Sequence, residues 1–138
     1  MRIRAFEAVD REMVVSLWKS VFPYSTGHND PNDSIDRKLI AADDLFFVAL
    51  DGEDVVGAVL AGYDGHRGWL YSLAVAPSHR RHGIGTRLVR HAESVLARRG
   101  CPKLNLQVRA DNAGVVAFYE SLGFASEERI SMGKLIVG

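Results

Sequence analysis

Polar and apolar positions set out a run of short elements along the chain. Ile3 and Ala5 alternate with Arg2, Arg4 and Glu7, Phe6 fitting less cleanly, so a strand is expected over Arg2–Ala8. The period then lengthens. Met13, Val14, Leu17, Trp18 and Val21 form one helical stripe, and Asp10 stands where an N-cap belongs. Phe22–Asn29 carries Pro23, Ser25, Thr26 and Gly27 and reads as a loop. Asp30-Pro31 is a start signal for a second helix with Ile35, Leu39 and Ile40 inward. Strands follow at Leu45–Leu50 and Asp54–Tyr63, joined by Asp51-Gly52 as a hairpin. After the Asp64–Gly68 turn comes a third strand, Trp69–Val75, which Pro77 ends.

A long amphipathic helix is expected from Gly83 to about Arg99, with Gly100 as its stop. Lys103–Arg109 alternates as a strand. Asp111-Asn112 opens a last helix that Gly123 closes, and Phe124–Ala125 and roughly Arg129–Ile136 are the final strand candidates. Interleaving of this kind argues for an α/β chain with a mixed sheet and helices on both faces.

Composition narrows the function. The chain has 138 residues, the size of one domain, and 1–138 is expected to be one. Its 17 basic and 17 acidic residues create no global field for nucleic acid or an anionic membrane, so an anionic ligand must be held by local features. The single cysteine, Cys101, closes no internal disulfide and belongs to no metal-ligand cluster, so no metal is expected. Neither a signal-peptide core nor a membrane-length apolar run is visible, and a cytoplasmic location is expected.

The run Leu73-Ala74-Val75-Ala76-Pro77-Ser78-His79-Arg80-Arg81-His82-Gly83-Ile84-Gly85-Thr86 ends a strand, adds positive charge and opens a helix with two glycines. The first amides of a helix lack partners and sit at its positive end, and glycine admits a ligand close to the backbone, so the turn suits a pyrophosphate. By itself it also fits an ordinary helix start with a solvated basic patch. A dinucleotide fingerprint would need glycine where Leu88 stands, and the Gly-Lys-Ser/Thr of a P-loop is absent.

Val75-x-Pro77-x-x-Arg80-x-x-Gly83-Ile84-Gly85-x-x-Leu88 resembles motif A of the GCN5-related N-acetyltransferases (GNAT), whose Arg/Gln-x-x-Gly-x-Gly/Ala wraps the coenzyme A pyrophosphate. Asn112 through Phe124, with Ala117-Phe118-Tyr119 and Gly123-Phe124, is similar to their motif B. The two turns at Gly62–Gly68 and Gly100–Lys103 look most like the YpeA-type bacterial branch.

The resemblance implies an α+β GNAT fold, a mostly antiparallel sheet of six to seven strands flanked by four helices and splayed into a V-shaped cleft. It implies an acetyl-CoA-dependent N-acetyltransferase acting on a primary amine of a small molecule, peptide or protein, by direct attack in a ternary complex. A homodimer is compatible with it, as is a non-catalytic acyl-CoA-binding module on the same fold.

Amides from Arg81 through His82, Gly83, Ile84, Gly85 and Thr86, with Arg80, would bind the pyrophosphate. The backbones of Leu73, Ala74 and Val75 would bind the pantetheine, and Asn112 the cofactor arm. A bulge before motif A would aim the amide of Ala74 or Val75 at the thioester carbonyl. Tyr119 would protonate the departing thiolate, although an amphipathic helix also places tyrosines for packing. The general base is open among Tyr71 acting through water, Asp64, His66, His28 and Asp30. The acceptor pocket is expected from Phe22–Asp30, Tyr63–Gly68 and the C-terminal residues, with Asp30 and Asp64 favouring a cationic amine.

Overall fold

The computed structural model describes residues 1–23 and 26–136. They form two compact units, Met1–Gln107 and Val108–Gly138. The first unit holds strands β1 (Arg2–Ala5), β2 (Phe46–Asp51), β3 (Asp54–Tyr63), β4 (Gly68–Val75) and β5 (Leu104–Asn105) in sequential order. The first four pair antiparallel, and β5 runs parallel to β4. Three helices join them: α1 (Arg11–Val21), α2 (Pro31–Ala41) and α3 (Ile84–Arg98).

Strand alternation sorts the core into two layers. Val14, Leu17, Trp18 and Ile35 of α1 and α2 cover Phe46, Val48, Ala58, Leu60 and Ala74 on one face. On the other, α3 lies so close to β3 at Gly57 that a Cβ there would sit 2.9 Å from Leu88 Cδ1 and 3.0 Å from Ile84 Cγ2, with Ala74 O at 3.3 Å. Overpacking of this kind costs about 1–3 kcal/mol. Gly57→Ala should therefore lower Tm by about 4–12 °C, at roughly 4 °C per kcal/mol for a chain of this size. Because the strain falls on Ile84, the first residue of α3, it also reaches the start of that helix; calorimetric melting measures the loss.

Midway along α3, His91 meets the Phe47 ring edge-on, with centroids 4.7 Å apart. Burial, and then the charge of Arg98, hold its imidazole below the ordinary value. The unfolded chain thus takes up a proton near pH 6.5 that the folded chain resists, and stability falls as pH drops below that point. A His91→Gln variant should show a flatter loss between pH 7 and pH 5 in denaturant titrations.

Some expectations need correction. The sheet has five strands among the described residues, not six to seven. Lys103–Arg109 contracts to Leu104–Asn105, because pairing with β4 covers only Gly68↔Leu104 and Trp69↔Asn105. Phe124–Ala125 and Arg129–Ile136 are irregular. A strand needs a partner as well as a pattern, and here the alternation of Ile130 and Met132 breaks at Gly133-Lys134, leaving both side chains 90% exposed. Leu39 and Ile40 are exposed, so Pro31 and Ile35 alone form the buried stripe of α2. Asp10 caps nothing in α1; it is buried and holds Arg4 instead.

In the second unit, α4 (Ala113–Ser121) begins where Asn112 Oδ1 accepts the Val115 amide at 3.2 Å. The N-cap expected there is present.

Candidate active site

β4 starts with neighbours on both sides and loses one. Beyond Trp69 no described strand pairs with its β5-facing edge, which is the splay expected of the sheet. On the β3 side Tyr71 opposes Leu60 and Ala74 opposes Ala58, so Ser72 and Leu73 together face the single residue Val59. This is a β-bulge, one residue longer on β4. Ser72 adopts the left-handed conformation, φ 53°, unusual for a side-chain-bearing residue.

The bulge carbonyl has turned out of the sheet. Ser72 O accepts Trp18 Nε1–H at 2.9 Å from α1 in the layer above, a place no in-plane carbonyl can reach. A trans peptide sets N–H opposite C=O, so the Leu73 amide points away from α1. Register fixes the next amides. Ala76 N donates to Val56 O at 2.8 Å, hence Ala74, two residues earlier, is also directed at β3. Val75 faces the open edge, and its carbonyl accepts Arg80 Nε at 3.4 Å.

Directly after β4, Pro77–His79 forms one 3-10 turn. His79 Nδ1 contacts Ser78 Oγ at 2.8 Å and Nε2 contacts Asp51 Oδ2 at 2.9 Å, which ties the turn to the β2–β3 hairpin. Arg81 (φ 68°) and Gly83 (φ 76°) are then both left-handed, flanking His82. Such a curl gathers backbone N–H groups into a concavity that suits an anion. Gly83 adopts the angle freely, whereas Arg81 carries strain of about 1–3 kcal/mol.

The first backbone bond of α3 runs from Arg87 N to Gly83 O at 3.0 Å, so the amides of Ile84, Gly85 and Thr86 have no partner within the helix. No acidic residue stands in that first turn, and exposed Arg80, Arg81 and His82 precede it. A positive helix end with added positive charge is unfavourable until an anion sits there.

In the second unit Tyr119 is 9% exposed. Its ring meets Phe118 and Phe124 edge-on, at centroid distances of 5.1 and 5.5 Å. Burial pushes its phenol up to about 12, so it is protonated throughout the neutral range.

Of the acceptor-side candidates, Asp64 and Tyr71 lie within reach of each other's charge, while Asp30 and His28 belong to the start of α2. Asp64 Oδ1 accepts the amides of His66 and Arg67, both at 2.8 Å, and those bonds chiefly lower its pKa; it shapes the turn. Tyr71 is half-exposed, and burial, then the charge of Asp64, raise its phenol. Asp30 caps α2 by accepting the Asp33 amide, and the His28 carbonyl accepts Arg37 Nη2 at 2.6 Å. Tyr24 and Ser25 of the expected acceptor loop lie outside the described residues. Cys101 Sγ donates to Lys103 O at 3.3 Å, a structural thiol. Among the described residues no group of three or more His, Cys, Asp or Glu has metal-binding spacing, and no helix is long and apolar enough to cross a membrane.

Sequence reasoning missed the link between Trp18 and Ser72. A tryptophan on a buried stripe signals that an acceptor must lie near its indole N–H, but not which one.

The profile of the Acetyltransferase (GNAT) family matches residues 11–124. The chain belongs to that family. It is an enzyme, an acetyltransferase of the class its two motifs resemble. An acetyltransferase of Pectobacterium atrosepticum is 42% identical over 140 residues, covering 99% of this chain and 96% of the relative. The fold matches the aminoglycoside 6'-N-acetyltransferase AAC(6')-IG of Acinetobacter haemolyticus with TM-score 0.79, at 21% identity and 100% of both chains. It also matches the PaiA N-acetyltransferase of Thermoplasma acidophilum, solved with coenzyme A, with TM-score 0.80 at 18% identity, over 94% of this chain and 92% of that one.

Proposed function

We propose that this acetyltransferase carries the acetyl group of acetyl-CoA to a primary amine by direct attack in a ternary complex. One observation carries the reading. The released edge of β4 at Leu73–Val75 runs straight into the Arg80–Thr86 turn with its gathered amides and uncompensated positive charge. A pantetheine arm followed by a pyrophosphate has that same order of chemistry. Leu73 and Val75 hold the arm as a strand would, while Arg80, Arg81 and His82 and the amides through Gly83, Ile84, Gly85 and Thr86 hold the pyrophosphate. Coenzyme A in the PaiA relative supports this donor.

The amine lone pair attacks the thioester carbonyl carbon, the C–S bond breaks, and the nitrogen gives up one proton. Ala74 is directed at β3, which leaves the amides of Val75, on the open edge, and Leu73, turned out of the ladder, to donate to the developing oxyanion. Tyr119 acts as the acid by donating its O–H to the sulfur as the C–S bond breaks; its motif B position and its protonated phenol support this role. Asn112, already the cap of α4, adds a bond to the cofactor arm.

An amine of pKa near 10.4 is only about 0.04% neutral at pH 7. The raised phenol of Tyr71 makes it a partner for a relaying water rather than a base of its own. Asp30 and Asp64 favour a cationic acceptor. The whole of 1–138 acts as one domain, and its lone thiol suits the cytoplasm.

Titration calorimetry with coenzyme A, followed by thiol release across a panel of amines, tests the proposal. Binding with amine-dependent release is expected. Absence of binding would refute it, and binding without release from any amine would mark a regulatory acyl-CoA module instead.

A further inference from the structure

We infer that Trp18 is a positioning residue for acetyl transfer: its indole N–H fixes the Ser72–Leu73 peptide and so sets the direction of the Leu73 amide. The inference rests on the donor reading above, in which that amide, free of the β3 ladder, donates to the thioester oxygen.

Ser72 stands at φ 53°, an angle that serine does not hold unaided. Its carbonyl has left the sheet, so the β3 ladder does not restrain it. What restrains it is one bond, Trp18 Nε1–H to Ser72 O at 2.9 Å. Neither group can dispense with the other. The indole is 2% exposed, and a buried N–H left without an acceptor is costly.

The anchor is itself fixed. Trp18 stacks on Phe46, with ring centroids 5.6 Å apart and planes 9° from parallel. Phe46 stacks on Phe6 at 4.3 Å and 5°. The aromatic column therefore runs from the end of β1 through β2 into α1, and its last member reaches the bulge. Packing alone would be met by phenylalanine at position 18. The N–H is the part of the side chain that reaches the bulge.

Rotation of this peptide moves Leu73 N–H by the same angle as Ser72 C=O, because the unit is planar. A donor that must meet a developing oxyanion tolerates little misalignment, and a small displacement is read in turnover before it is read in binding. The pyrophosphate turn begins seven residues further on and does not depend on the angle at Ser72.

The test compares Trp18→Phe with the wild-type chain in two independent measurements. Amide hydrogen exchange read by NMR should quicken about tenfold at Leu73, with β1–β3 unchanged. With the best amine from the screen, kcat should fall about tenfold while the coenzyme A Kd stays within about twofold. A second variant guards against misfolding: Trp18 replaced by 3-benzothienylalanine, in a Trp69→Phe background, keeps the shape and deletes only the donor. It should reproduce both changes. Unaltered exchange at Leu73, or an acceleration spread evenly over the sheet, overturns the inference by reducing Trp18 to core packing. So does faster local exchange with unchanged kcat. The exchange measurement needs no turnover, so a local acceleration supports the anchoring even if no amine is acetylated, and that failure would fall on the donor reading alone.

Discussion

Tyr119→Phe is expected to lower the rate of acetyl transfer by about 10²–10⁴-fold while leaving coenzyme A affinity within about twofold. The substitution keeps the ring and its edge contacts with Phe118 and Phe124 and removes only the hydroxyl. A cavity is not created, so stability should hold. The sign of the pKa shift sharpens the expectation. With the phenol pushed up to about 12, the protonated form is complete below about pH 10 and is lost only as pH rises through 12. The wild-type rate should therefore show no alkaline decline from Tyr119 in the usual assay range. A coenzyme A thiol, at about 8.5, is the weaker base of the pair, so the phenol acts through a hydrogen bond that tightens as charge collects on sulfur. Single-turnover thiol release is the right measurement, since slow product release would mask the chemical step. Equal rates for the two proteins would remove the acid assignment.

The largest stability loss is expected at Asp10→Ala, about 3 kcal/mol or more in urea titrations at pH 7. Asp10 is 1% exposed and accepts three bonds: Arg4 Nη1 at 2.7 Å, Arg4 Nη2 at 3.0 Å and the Glu7 amide at 2.8 Å. Alanine leaves a half-buried guanidinium with only the exposed Glu7 carboxylate, at 3.2 Å, to balance its charge, beside its bond to Ala5 O at 3.0 Å. Asn should lose less, because one oxygen still accepts. Burial by itself would raise the Asp10 pKa, but the Arg4 and Glu7 bonds outweigh it and the net direction is down. The clamp is thus complete above the ordinary carboxylate value and fails as pH falls through the folded one. Wild type and Asp10→Ala should converge in stability as pH falls through the folded value. Since the clamp fixes the start of α1, it also fixes the helix that carries Trp18.

Local pattern made most elements legible. Asp30-Pro31, Gly83 and Asn112 marked helix starts that the structure keeps, because capping is decided within a few residues. Asp51-Gly52 marked the hairpin for the same reason. What failed depended on distant partners. Arg129–Ile136 has apolar residues enough for a strand but is irregular, and the length of β5 is set by where pairing with β4 stops. Asp10 looked like a cap, yet its use is decided by Arg4 across the β1–α1 junction. On the site, Arg80, Gly83 and Gly85 announced the donor turn through spacing alone. The angle at Ser72 left no trace, because serine is ordinary in composition and unusual only in φ.

The extra residue in β4 also changes what the strand can tolerate. Before it, odd-numbered Trp69 and Tyr71 share the α1–α2 side with Gly62 and Leu60; after it, even-numbered Ala74 and Ala76 do. The two halves of β4 are out of phase by half a period. Loss of any one residue from Tyr71 to Leu73 would restore one-to-one pairing and a single period, with Ala74 still opposite Ala58 and Ala76 still on the α1–α2 side. The length of this segment is therefore set by the site and not by the core: a deletion should leave both layers packed but remove the turned-out Ser72 carbonyl and the amide behind it, so homologous chains that vary at positions 71–73 should still agree on how many residues lie between Leu70 and Ala74.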